Sequence, residues 1–249
     1  HMLSDSFALA IAASAAILAA RPPSSRHSYG LVRIEVIAAF INGMVMLLVI
    51  IAITYTAVKR FAEPLAVNGL GVMVVASIGL ITNLVVYKIL HGEHASLNTR
   101  AARLHVLGDI LGSVAALAAG VIIYFTAWYP IDPILSIFIC LIILAGTFKL
   151  LKQALTVLLE GVPMHLDLEE IGYSMAAVES VESVHDLHIW SLSSGQIILT
   201  AHIVMKQFDH WSKIYAAISE KLLREFNIDH VTLQPELSQD GLHKIVMPK

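Results

Sequence analysis

The chain has 249 residues, 57% of them hydrophobic and only 14% charged, with a mean hydropathy of +0.76. Soluble domains carry roughly 25% charged residues, and a water-soluble monomer of this composition would expose large apolar patches, so an ordinary cytosolic enzyme and a disordered chain are both excluded. The net charge of −3 hides a division: residues 1–159 hold ten Lys/Arg and six Asp/Glu, a net of +4, whereas residues 160–249 hold six and thirteen, a net of −7.

That division predicts two domains, a membrane domain over 1–159 and an acidic water-exposed domain over 160–249. A lone cysteine, Cys140, leaves no disulfide framework and no Cys-rich zinc fold. Crossing the hydrocarbon takes about 20 mostly apolar residues in a helix. The first apolar run, 7–20, reaches that length only with residues 1–6 included, and it ends at Arg21-Pro22-Pro23. Four longer runs follow at 34–58, 65–90, 104–128 and 131–151, giving five predicted spans. Arg21, Arg26 and Arg33, then Lys88, Arg100 and Arg103, then Lys149 and Lys152 mark the cytoplasmic ends. Lys59 and Arg60 dissent from that orientation and are outvoted.

Beyond residue 160 the pattern changes. Helical spacing runs over 168–181 and 210–226, and strand-like stretches cover 184–192, 197–205 and 231–237, with Ser193-Ser194-Gly195 as a hairpin turn. The order α-β-β-α-β predicts a small α+β ferredoxin-like domain. No nucleotide loop, Gly-rich phosphate cradle or Gly-x-Ser-x-Gly nucleophile elbow is present.

Ionisable groups at membrane depth are costly unless paired or hydrated. His105 and Asp109 stand four residues apart near the start of one span, which puts both on one helix face. His1 and Asp5 repeat the spacing in another span. Either pair alone reads equally well as a simple i,i+4 contact. Together, two imidazoles and two carboxylates make a four-ligand tetrahedral set suited to Zn²⁺.

His1-Met-Leu-Ser-Asp5, Arg26-His-Ser-Tyr-Gly30 followed by Glu35, His105-Val-Leu-Gly-Asp109, Leu158-Leu-Glu-Gly-Val-Pro163 and Val184-His-Asp-Leu-His-Ile-Trp190 together resemble the cation diffusion facilitator family, in its bacterial zinc-exporting branch. The resemblance covers the whole chain. It implies a homodimer in the bacterial inner membrane, six helices per protomer and a cytoplasmic metallochaperone-like domain. Residues 1–20 would then be the second helix of the six, the first lying outside this sequence. It implies a transport site of His1, Asp5, His105 and Asp109 and exchange of cytoplasmic Zn²⁺ for protons by alternating access. Arg33 and Glu160 match a charge interlock between the two domains, or are ordinary interface charges. Glu35 faces the bundle or merely ends a span.

In the cytoplasmic domain the resemblance implies a regulatory zinc on His185, His202 and Glu236, with His230 where some relatives have a ligand. Gln234 replaces a histidine ligand of other relatives, which counts against a second metal there. His188 lies three positions from His185, on the opposite face of a regular strand, and shares its neighbourhood only if the strand is twisted or bulged; Trp190 reads as packing. Near Arg26, Ser24 and Leu31 stand where relatives with a small loop site carry an acid and a second His, so His27 is not expected to complete one. His91 and His94 read as solvated loop histidines.

The expected function is thus a Zn²⁺/proton antiporter, with Cd²⁺ or Co²⁺ as further cargo, a second copy of the chain and the bilayer as partners, and no nucleic acid. A membrane-anchored metal-sensing scaffold would need the cytoplasmic ligands but no charges in the spans. An intramembrane metalloprotease would want His-Glu-x-x-His, which is missing.

Overall fold

The computed structural model describes residues 2–62, 69–90 and 96–238, with side chains from Ala8 onward. The chain divides into two compact units, His1–Ala154 and Leu155–Lys249.

The first unit is built from five helices: α1 (Met2–Ala19), α2 (Arg33–Ala62), α3 (Gly69–Ile89), α4 (Leu97–Thr126) and α5 (Ile131–Leu158), whose last residues belong to the second unit. Among the described residues, four of these, α2 to α5, are long and apolar enough to cross a bilayer, rather than the five expected from the sequence. The difference lies in α1, whose described apolar stretch, Ala8–Ala19, falls short of the length a span needs. Helix α4 starts seven residues before the predicted position 104. Ser96 caps its N-terminus, accepting a hydrogen bond from the Thr99 amide at 3.3 Å, and Leu97, Ala101 and Ala102 are buried in its opening turns. Pro133 sits in the first turn of α5, where its missing N–H costs nothing.

Large apolar side chains such as Val75 and Phe125 are more than two-thirds exposed, as lipid-facing positions should be. Small residues let α3 and α4 approach closely. A Cβ on Gly120 would stand 2.7 Å from Met73 Cγ and 3.1 Å from the Gly69 carbonyl oxygen. Arg60, one of the two dissenting charges, is bound at 3.0 Å to Asp132 in the first turn of α5. Its charge is therefore neutralised locally, and it is a weak reporter of orientation.

In the second unit, α6 (Leu168–Ala176) and α7 (Trp211–Phe226) accompany a sheet of β1 (Val181–Ser193), β2 (Gln196–Met205) and β3 (His230–Leu237), ordered β1-β2-β3. The β1–β2 pair is antiparallel and β2–β3 parallel, a mixed sheet in the predicted α-β-β-α-β order. Asp167 caps α6 by accepting from the Glu169 and Glu170 amides. Helix α6 ends five residues before the predicted position 181. Val178 and Val181 keep the apolar rhythm because they pack on the same core from a turn and a strand. Ile171 and Met175 of α6 and Ile214, Ile218 and Leu222 of α7 close that core over the odd-numbered residues Ile197 to Met205 of β2. The even-numbered residues of β2, among them Thr200 and His202, occupy the other face.

Candidate metal sites

In the membrane unit, His105 Nε2 and Asp109 Oδ2 lie 3.9 Å apart on one face of α4, the histidine buried and the carboxylate partly so. Both line a cavity of about 700 Å³ among α2 to α5, which also touches Asn83, Ser136, Cys140 and Arg60. His1 and the Asp5 side chain lie outside the described residues, as do His91 and His94.

Two residues the sequence did not single out fix α1. Asn42 of α2 donates to the Ala8 carbonyl at 3.2 Å, and Asn98 of α4 donates to the Ala12 carbonyl at 2.7 Å. A carbonyl only accepts, so each amide nitrogen must face α1. The two Oδ1 atoms are buried without a hydrogen-bond partner among the described residues. Glu35 shares a side-chain hydrogen bond with Ser96 at the start of α4, so it faces the bundle.

In the second unit, a β-bulge decides the geometry. His185 pairs with His202 and His188 with Thr200, so Asp186 and Leu187 of β1 together oppose Ala201 of β2. Asp186 takes the left-handed backbone conformation (φ 50°) that Asp tolerates better than most residues. Val184, Leu187 and Ile189 all reach the core, so His185 and His188 share the opposite face. Regular alternation would have separated them.

On that face, His185 Nε2 donates to Glu236 Oε2 at 2.9 Å, and His202 Nδ1 lies 2.8 Å from Glu236 Oε1. The two imidazole rings stand 5.0 Å apart, edge to face. One ligand atom from each of His185, His202 and Glu236 falls within 4.8 Å of the others, the one such group among the described residues. Gln234, paired with His202 across β2–β3, donates its amide to Glu236 Oε1 at 3.2 Å and so steadies the carboxylate rather than competing for an ion. His230 stands apart, at the start of β3 opposite Ile198. Burial works to raise the Glu236 carboxyl, but the His185 hydrogen bond and the charges of His185 and His202 outweigh it and hold the group below its usual value. Asp186 is held low chiefly by its 3.0 Å hydrogen bond from His188.

Arg33 is the first residue of α2. Glu160 takes φ 57° just past α5, with Glu160 N–H on the Val157 carbonyl and Gly161 N–H on the Thr156 carbonyl. That is a Schellman cap with an acid in the place that favours glycine, and it costs roughly 1 kcal/mol.

A multi-span helical unit carrying a His/Asp pair, joined to a ferredoxin-like domain with an open His/His/Glu group, is the build of a metal-cation transporter. The chain belongs to the cation efflux family: residues 1–159 match the cation efflux transmembrane domain, and residues 163–238 match the cation efflux protein cytoplasmic domain. It is therefore a multi-pass inner-membrane protein with a cytoplasmic C-terminal domain, and the second match, a dimerisation domain, makes another copy of the chain its partner.

Zinc transporter ZitB of Escherichia coli is 39% identical over 240 residues, covering 95% of this chain and 76% of the relative. Metal cation efflux system protein CzcD of Cupriavidus metallidurans is 41% identical over 96% of this chain and 76% of its own. A cadmium, cobalt and zinc/H(+)-K(+) antiporter of Bacillus velezensis is 37% identical over 95% and 77% respectively. Among solved structures, the metal-bound C-terminal domain of the Cupriavidus CzcD transporter is 38% identical, covering 29% of this chain and all of that one, with a TM-score of 0.28.

Proposed function

We propose that the protein exports Zn²⁺ in exchange for protons, by alternating access around a site of His1, Asp5, His105 and Asp109. The observation that carries this reading is the Asn98–Ala12 hydrogen bond. Successive spans alternate in direction, so α1 and α4 run antiparallel. Seven residues back along α1 from Ala12 is position 5, and seven forward along α4 from Asn98 is His105. Seven residues is close to two turns, which keeps the same face on each helix, and the rise of 1.5 Å per residue keeps the two positions level. This register sets residue 5 of α1 level with His105 and supports a site shared between the two helices.

Such a site binds a metal only through neutral imidazole and ionised carboxylate, so protons and Zn²⁺ compete for the same four groups. Imidazole, with an ordinary pKa near 6.5, is the exchangeable proton carrier. Mixed nitrogen and oxygen ligands favour Zn²⁺ or Cd²⁺ over Mn²⁺. The names of the Escherichia and Bacillus relatives agree with zinc as cargo, and the Bacillus name adds cadmium, cobalt and a proton counter-ion.

The cytoplasmic group fits a regulatory Zn²⁺. Two imidazoles and a carboxylate are a zinc donor set, and they already lie within 4.8 Å of one another. An ion there would cross-link β1, β2 and β3 through His185, His202 and Glu236. His230 remains a further donor for an ion shared with the partner protomer. Arg33 and Glu160 would form the charge interlock between the domains. The strained backbone at Glu160 supports a selected role, since glycine would fill that cap at lower cost.

The test is Zn²⁺ uptake into proteoliposomes containing the full chain. Asp109→Ala should abolish proton-driven uptake while Glu236→Gln leaves it measurable. If Asp109→Ala transported as the parent does, the site assignment would be refuted; if the parent itself moved no Zn²⁺, a metal-sensing scaffold built on the cytoplasmic group would remain.

A further inference from the structure

We infer that Asp186 is the positioning residue of the cytoplasmic metal group. From the β1 bulge, its carboxylate orients the His202 ring so that Nδ1 is left to the ion. The inference rests on reading His185, His202 and Glu236 as a metal site.

The geometry around His202 is two-sided. Its Nδ1 lies 2.8 Å from Glu236, within the ligand group, while its Nε2 lies 3.4 Å from Asp186 Oδ2, outside it. An imidazole that gives one nitrogen to a metal keeps its proton on the other, and a carboxylate beside that second nitrogen fixes both the tautomer and the ring angle. Asp186 is the only carboxylate that the structure sets at the Nε2 side, among the described residues. Its other oxygen is held by His188 Nε2 at 3.0 Å. His188 therefore braces Asp186 rather than ligating the ion, which gives the second histidine of Val184-His-Asp-Leu-His-Ile-Trp190 a role.

The bulge is what makes this arrangement available. In a regular strand, Asp186 would alternate onto the core face, behind His185. The extra residue and its left-handed backbone bring the carboxylate round to the open face, between two imidazoles. Asn and Gly both tolerate that backbone conformation, so Asp186→Asn and Asp186→Gly change the side chain without forcing the bulge to refold.

The experiment uses the full chain in detergent micelles, in an Asp109→Ala background that silences the membrane site, with Zn²⁺ itself as the probe. Binding is read by competition with a chromophoric chelator. The His202 Nε2–H is read from ¹⁵N-histidine spectra of the zinc-loaded protein, with His202→Ala supplying the assignment. Asp186→Asn should leave the number of bound ions unchanged and weaken affinity about 10- to 100-fold. Asp186→Gly should shift the His202 Nε2–H resonance of the zinc-loaded protein and speed its exchange with water, which a purely structural role would not do. Unchanged affinity and an unchanged Nε2–H signal in both variants would overturn the inference, as would loss of a whole ion per protomer in Asp186→Asn, which would make Asp186 a ligand. Retention of the ion in Glu236→Gln would instead overturn the metal reading itself, an outcome distinct from either Asp186 result.

Discussion

The Asn98 amide and the Ala12 carbonyl are joined by a 2.7 Å hydrogen bond that ties α4 to α1 inside an apolar bundle. Asn98 is almost fully buried, so the bond forms where water cannot substitute for it. It fixes depth and rotation of α1 together, the two variables that decide whether the two His/Asp pairs can share an ion.

Replacing Asn98 separates that role from simple packing. Asn98→Ala should lower stability by about 0.6–2 kcal/mol, the range of hydrogen bonds between membrane helices. Asn98→Asp removes the donor and sets a carboxylate against the Ala12 carbonyl, so it should cost more and reduce Zn²⁺ transport further than alanine does. Thermal unfolding in detergent and vesicle flux, measured on the same preparations, check the order.

Cargo selectivity should follow ligand type. His1→Asp exchanges an imidazole for a carboxylate oxygen, and Mn²⁺ prefers oxygen where Zn²⁺ accepts nitrogen. The ratio of Mn²⁺ to Zn²⁺ uptake in competition should rise severalfold. An unchanged ratio would remove His1 from the cargo site.

Two glycines of α4 should respond in opposite directions to the same substitution. Among the described residues, nothing lies within 4 Å of a Cβ at Gly112, so Gly112→Ala gains helix propensity, up to about 1 kcal/mol. At Gly120 the added methyl meets Met73 and the Gly69 carbonyl, so Gly120→Ala should push α3 away and destabilise by about 1–3 kcal/mol. Unfolding midpoints of the two variants test the close approach directly.

Acid should loosen the ion-free cytoplasmic domain. The Glu236 carboxyl sits below its usual 4.5 when folded, despite the opposing effect of burial, because His185 and His202 favour its charged form. Its contribution to stability is thus complete above 4.5 and is lost as pH falls through the lower, folded value. Glu236→Gln should flatten that part of the profile, as read by unfolding of the metal-free protein across acidic pH.

Much of this architecture was legible in the residues. The apolar runs, the Ser193-Ser194-Gly195 hairpin and the α-β-β-α-β order follow from periodicity and turn chemistry, and the resemblance singled out His185, His202 and Glu236, which the structure brings within 4.8 Å of one another. What escaped was set by geometry that spacing does not encode. Counting by twos puts His188 behind His185, because the bulge depends on one left-handed residue, Asp186. Asn42, inside an apolar run, and Asn98, ahead of one, were not singled out, since their partners are backbone carbonyls that carry no sequence signature. Arg60 read as a topology signal because its neutralising Asp132 lies 72 positions away.

The most direct test is Zn²⁺ accumulation by proteoliposomes of the full chain under an imposed pH gradient, with internal pH recorded together with metal. An acidic interior should drive Zn²⁺ inward against its own gradient while internal pH rises, and collapsing the gradient with a protonophore before Zn²⁺ is added should abolish both. Zn²⁺ uptake that proceeds at the same rate with the gradient present, absent or reversed would contradict exchange of the ion for protons.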